Sequence, residues 1–188
     1  MTSSTRAAPI ILIAWFVVAF ATVYAGVLTQ IPFPPPVFVA AGVVFSIAMV
    51  VLVPGVAAWL RDLDLRALVA FHLVRFVGAF FLWLAAQGRL PDSFAKPAGI
   101  GDILTAVWAA GLLATGYARP GRALLIWNLF GLADILFVVV NALRGIMTQP
   151  AAFTEFYHLP LGLLPTFIVP VIIVSHLVVF IRNRAPVA

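Results

Sequence analysis

The residues of this chain that could do chemistry are few, and nearly all of them lie inside long apolar runs. His72 and Arg75 stand three apart in the run Leu65–Ala86, Asp134 lies within Ala123–Leu143, and His176 lies within Leu159–Ile181. An ionisable group at the centre of a membrane-crossing run costs roughly 2.5–3.5 kcal/mol on insertion scales, so each is a functional candidate by default. At about 1.5 Å per helical residue, Arg75 falls about 15 Å and Asp134 about 16 Å from the arginine-flanked end of its run. Opposite charges in one layer predict an ion pair. In a ligand site, Arg75 would hold an anionic group and Asp134 would balance it or carry a proton. Otherwise the pair only locks two helices together.

His72 and His176 fall about 10 Å and 8 Å in from the same side, and Asn128 lies at a similar depth. Two histidines in one layer could ligate b-type haem from opposite faces, with Arg75 one turn deeper on a propionate. The plainer reading gives each imidazole a hydrogen bond to a neighbouring helix. On the fifth run Gly131, Asp134 and Asn141 recur at helical spacing, a polar, small-residue stripe that should face other helices or a cavity rather than lipid. Asn141 reaches the far boundary, where Asp102 and Arg144 are also expected, so these three could form the mouth of a cavity. Asp102 also suits the first turn of a helix, where the helix dipole favours an acid. His158 reads as an ordinary interfacial residue.

The elements that must position these groups follow from composition. Of 188 residues 64% are hydrophobic and 9% charged, against about 45–50% and 25% in a soluble domain. So few charges cannot cover a water-facing surface, and the expected solvent is lipid. The net charge of +5 comes from arginines that flank apolar runs, which reads as topology and headgroup anchoring rather than nucleic-acid binding. Without cysteine there are no disulfides, thiol chemistry or iron–sulfur clusters.

The expected fold class is an all-α, polytopic membrane helix bundle in one domain, residues 1–188. Its six spans are Pro9–Leu28, Val37–Leu60, Leu65–Ala86, Gly99–Tyr117, Ala123–Leu143 and Leu159–Ile181, each near the 20 residues or so that a bilayer requires. Arg6, Arg61, Arg66, Arg119, Arg122, Arg182 and Arg184 fall on one side and Arg89, Lys96 and Arg144 on the other. That asymmetry puts both termini in the cytoplasm, as a multi-pass protein of the bacterial inner membrane. A rival reading makes residues 1–21 a cleaved signal peptide ending at Ala19-Phe20-Ala21. Phe153, Phe156 and Tyr157 place the last outer loop along the membrane surface as an aromatic belt, or as a lid over a site. Pro54, Pro165 and Pro170 mark kinks.

Gly99-Ile100-Gly101-Asp102 has the form G-x-G-D. It resembles the motif of membrane-embedded aspartyl proteases, including prepilin peptidases and presenilin-like enzymes, and Leu90-Pro91-Asp92 looks like a further piece of the prepilin peptidase pattern. The resemblance covers a dozen or so residues. It implies a carboxylate pair acting as acid and base on a water, for which Asp102 and Asp134 are the available dyad. Asp134 follows the motif where the family's first aspartate precedes it, and the lysine that often follows the motif is absent.

Three functions therefore compete. The first is a small-molecule or ion carrier, or a binding module, with an intramembrane polar site at Arg75 and Asp134. The second is a non-catalytic accessory subunit packed against other membrane subunits. The third is a haem redox protein held by His72 and His176. The lipid bilayer is the expected partner in all three, oligomers are open, and catalysis is not the favoured reading.

Overall fold

The computed structural model describes residues 7–184. Arg6 and the first six residues of the signal-peptide reading lie outside the described residues, as does the side chain of Arg184. Among the described residues all regular structure is helical. Six helices are long and apolar enough to cross a membrane: Ala7–Tyr24, Pro35–Leu52, Leu65–Ala86, Asp92–Ala114, Arg122–Thr148 and Leu164–Asn183. The chain divides into two compact units, Met1–Asp62 with Ile146–Val174 and Leu63–Gly145 with Ser175–Ala188.

In the first unit, α1 (Ala7–Tyr24) ends at Gly26, which turns the chain at a φ of 69° that glycine adopts without a Cβ penalty. Pro35 and Pro36 begin α2 (Pro35–Leu52), where a missing N–H costs no helical bond. The expected span Val37–Leu60 is corrected by Pro54. The residue before a proline is pushed out of the helical region, Val53 is extended at φ −115° and ψ 95°, and the helix restarts as α3 (Pro54–Asp62).

The last apolar run also starts later than expected. Residues 159–162 form turns, with Gly162 N–H donating to His158 O at 2.7 Å, and the helix enters through a π-helical turn, Leu164–Ile168, before α8 (Val169–Arg184). Pro170 deprives the carbonyl of Thr166, four residues back, of its α-helical donor. The Trp15 indole N–H supplies one at 3.0 Å. Gly42 makes room for that contact: a Cβ there would lie 2.6 Å from the Pro170 ring and 3.1 Å from Trp15. The loop Pro150–Tyr157 is a 3-10 helix whose Phe153 and Phe156 are buried and stacked, with ring centroids 6.1 Å apart. An aromatic belt at the headgroups is therefore not what these two rings form. Burying a phenylalanine gains about 1.5–3 kcal/mol, and both face inward.

The second unit holds α4 (Leu65–Phe71), a 3-10 segment (His72–Val77), α5 (Gly78–Ala86), α6 (Asp92–Ala114), α7 (Arg122–Thr148) and the end of α8. Asp64 caps α4, its Oδ1 accepting from Arg66 N–H at 2.9 Å. Leu65, Leu68, Val69, Leu112, Leu124, Trp127 and Val179 form its apolar core.

Helix α6 begins seven residues before the expected span Gly99–Tyr117. Pro91 precedes it, Asp92 opens the first turn, and Lys96 bonds Asp92 at 2.6 Å across one turn. An acid in the first turn and a Glu/Asp-to-Lys pair at this spacing both favour a helix start. Pro97 inside α6 frees the carbonyl of Ser93, and Asn141 Nδ2 of α7 reaches it at 3.4 Å. This earlier start carries Asp102 about 15 Å along the helix, into the interior of the unit.

Candidate functional site: an arginine between two aspartates, beside two histidines

His72 and Arg75 lie on the 3-10 segment rather than on a regular α-helix. With 3.0 residues per turn, side chains three apart eclipse one another, so both project to the same side. Both are fully buried.

The Arg75 guanidinium joins three chains of atoms. Nε donates to Asp102 Oδ1 on α6 at 2.6 Å, Nη2 to Asp134 Oδ2 on α7, and Nη1 to the Gly131 carbonyl at 2.9 Å. Glycines let the helices close around it. A Cβ on Gly99 would sit 2.6 Å from the Gly78 carbonyl, and one on Gly101 would strike the Asp134 carboxylate. The two glycines of the G-x-G-D motif thus have separate tasks: Gly99 brings backbone against backbone, and Gly101 seats Asp134.

The expected Arg75–Asp134 pair is formed, with a second carboxylate that the sequence reading put elsewhere. Asp102 is buried on Arg75 and not at a cavity mouth with Asn141 and Arg144. Asn141 instead lies against the turn of α6 that Pro97 opens, and Arg144 is exposed one turn beyond it. The protease reading is also corrected at this point. Two carboxylates acting on one water must address it together, whereas here the guanidinium lies between them and bonds to both.

The histidines form a second, adjoining group. His72 Nε2 and Ser175 Oγ are 3.0 Å apart, and the His72 and His176 rings touch, with centroids 4.1 Å apart. Trp127 stands edge-on to His72 at 5.0 Å and donates its indole N–H to Thr105 O at 3.1 Å. Asn128 holds His176 twice: its Nδ2 donates to the His176 carbonyl at 3.1 Å, and its Oδ1 faces Nδ1 at 2.8 Å. The first bond fixes the amide, so Oδ1 accepts and Nδ1 carries the proton, a tautomer assigned by the network. His176 Nε2 is then a bare lone pair. That atom and His72 Nδ1 have no hydrogen-bond partner among the described residues. His176 also packs against Gly131, where an added Cβ would lie 2.7 Å from Cε1 and 3.0 Å from Nε2.

This arrangement does not fit haem. Axial imidazoles must present nitrogens to opposite faces of a macrocycle. Here the two rings are in contact, Trp127 closes the side of one, and Asn128 holds the other. No group of three or more metal-ligating side chains occurs among the described residues.

What the cluster can do follows from its charge. One guanidinium faces two carboxylates, and among the described residues no other cation pairs with either. With both acids ionised the triad carries one excess negative charge. Its exposure is graded: the Arg75 side chain is 0% exposed, Asp102 5% and Asp134 11%. The sequence reading missed the Asp102 contact because it began the fourth span too late. Asp92 and Lys96, one turn apart, were the signal that could have corrected it.

Residues 32–183 match the family described as a domain of unknown function (DUF8737), and the chain belongs to that family. The match includes Arg75, Asp102, Asp134 and both buried histidines. No curated protein and no solved structure matches the chain.

Proposed function

We propose that this protein is a multi-pass protein of the bacterial inner membrane, with both termini in the cytoplasm, acting as an ion or small-molecule carrier or binding module. Its Arg75–Asp102–Asp134 triad binds and releases a proton. The observation that carries this reading is the imbalance of two buried carboxylates on one guanidinium. A pair that only locked helices needs one acid, and a second buried charge adds a desolvation cost of several kcal/mol. A proton shared by the two acids removes the excess charge, and uptake or loss of that proton changes what holds α6 and α7 to Arg75. Asp134, the most exposed of the three, is the exchanging group.

Arg75 is not the receptor for an anionic ligand that its sequence position suggested. Its guanidinium already faces two carboxylates, so a third anion would meet net negative charge. The triad favours protons and small cations.

The test is the pH dependence of thermal unfolding of the purified protein in detergent. A site that binds a proton in the folded state alone makes the melting temperature depend on pH. The wild type is expected to show such a slope and Asp134→Asn to lose it. The sign of the slope decides: a site that takes up a proton in the folded state gains stability as pH falls, whereas a purely structural pair, both acids ionised in the fold, loses stability as pH falls because the unfolded chain then binds more protons.

A further inference from the structure

Two buried imidazoles remain that the triad does not use, each with a nitrogen that lacks a partner. A buried polar atom left unpaired costs about 1–3 kcal/mol. Here there are two, on rings that touch. Both histidines lie between the triad and the arginine-rich end of their helices. His72 precedes Arg75 by one 3-10 turn, about 6 Å along the axis. His176 lies six residues before Arg182, whose Nη1 donates to the Leu63 carbonyl at that end. His176 Cε1 and Nε2 pack against Gly131, whose carbonyl accepts from Arg75 Nη1.

We propose that Ser175, His72 and His176 form a proton relay joining the arginine-rich end of the protein to the Arg75–Asp102–Asp134 triad. The relay rests on the reading of the triad given above and extends it to the residues that load it.

The steps balance with protons alone. The relay starts with Ser175 Oγ–H donating to His72 Nε2, one of the two directions that contact allows, and with the ring proton of His72 on Nδ1. A proton delivered through Ser175 binds at Nε2, and Nδ1 gives up its own. His72 Nδ1 and His176 Nε2 share no hydrogen bond in the structure, so the transfer takes place when the touching rings turn toward each other: His176 accepts at Nε2, its one bare nitrogen, and becomes an imidazolium whose Nδ1–H stays on Asn128 Oδ1. It passes the Nε2 proton through intervening water to the Asp134 carboxylate, which stands one helical turn beyond the Gly131 that His176 packs against. His72 recovers its first tautomer by proton exchange with water, which takes one proton from Nε2 and returns one to Nδ1. No electron moves.

The charges around the relay make this workable. The charged group that faces it is Arg75 from the 3-10 segment, and Asp102 from α6 and Asp134 from α7 are coupled to it through that guanidinium. Besides the two histidines, α8 offers the neutral Ser175, and α7 adds the neutral Asn128 and Trp127. Arg75 opposes an imidazolium. The second carboxylate offsets it, so that one proton on the five ionisable groups brings their sum to zero. The same count explains why the extra acid and the two histidines occur together.

The experiment uses the full chain in liposomes, with a potassium gradient and valinomycin setting the membrane potential and a trapped pH dye reporting proton entry. The wild type should admit protons above the rate of protein-free liposomes, and Asp134→Asn should not. His72→Gln and His176→Gln should each slow entry by roughly a hundredfold, the lower end of what a positioned proton-transfer group contributes. Ser175→Ala, which leaves both rings in place, should slow it as well and decides the matter if the histidine variants do not fold. Helix content and melting temperature, measured on each variant, separate lost relay from lost structure. If Asp134→Asn is inactive while the folded His72, His176 and Ser175 variants conduct like the wild type, the relay is wrong and the triad reading stands. If Asp134→Asn conducts normally, or the wild type conducts no better than empty liposomes, both fail.

Discussion

Asp134 lies against the backbone of Gly101, the residue immediately before the aspartate with which it shares Arg75. One dipeptide of α6 thus supplies both the seat for one carboxylate and the second carboxylate itself. The consequence is a compact triad in which none of the three side chains can be removed without stranding the others.

Removing Arg75 should therefore be the most damaging single change in the second unit. Arg75→Met leaves two buried carboxylates without their cation and should destabilise the folded protein by about 3–5 kcal/mol, the cost of breaking a buried pair from one side. The triple variant Arg75→Met, Asp102→Leu, Asp134→Leu should recover most of that loss, because apolar replacement of a whole buried ion cluster is often neutral or better. Unfolding by denaturing detergent, followed by circular dichroism, measures both.

Three glycine-to-alanine changes should separate by sign. Gly131→Ala places a Cβ 2.7 Å from His176 Cε1 and 2.9 Å from Thr105 Cγ2 and should cost about 1–3 kcal/mol through overpacking. Gly101→Ala strikes the Asp134 carboxylate and should behave as a partial loss of the Arg75–Asp134 bond. Gly111, in the last turn of α6, has nothing within 4 Å of its added Cβ, so Gly111→Ala should stabilise by up to about 0.5–1 kcal/mol through helix propensity alone. The same unfolding assay ranks them.

The Trp15–Thr166 bond and Pro170 should be energetically coupled. Trp15→Phe removes the indole donor from the carbonyl that Pro170 left without its helical partner, and an unpaired buried carbonyl costs about 1–3 kcal/mol. In a Pro170→Ala background the backbone N–H returns, and the same Trp15→Phe change should cost clearly less. A double-mutant cycle measures the difference. Equal costs in both backgrounds would mean that the indole contributes packing only.

Much of this arrangement was legible in the sequence. The apolar runs gave the helices, and the opposite charges of Arg75 and Asp134 at one depth gave their pairing. The matched depth of His72, His176 and Asn128 brought those three together. Hydropathy could not give the helix boundaries that proline and capping set. Pro54 broke the second run, and Asp92 with Lys96 began α6 ahead of its apolar stretch, so that Asp102 moved from an expected mouth to the interior. Nor could depth distinguish two histidines with space between them from two in contact. That depends on the small residue Gly131 and on the hydrogen bonds of Asn128 and Ser175, and it is why the haem reading does not survive the geometry.

The central claim, that the triad carries one acid more than it has base and exchanges a proton there, is tested most directly by infrared difference spectroscopy of the purified protein between alkaline and acidic buffer. The account predicts that acidification raises a carboxylic-acid carbonyl band in the wild type and that Asp134→Asn removes it. A wild-type band that persists unchanged in both Asp134→Asn and Asp102→Asn would contradict it.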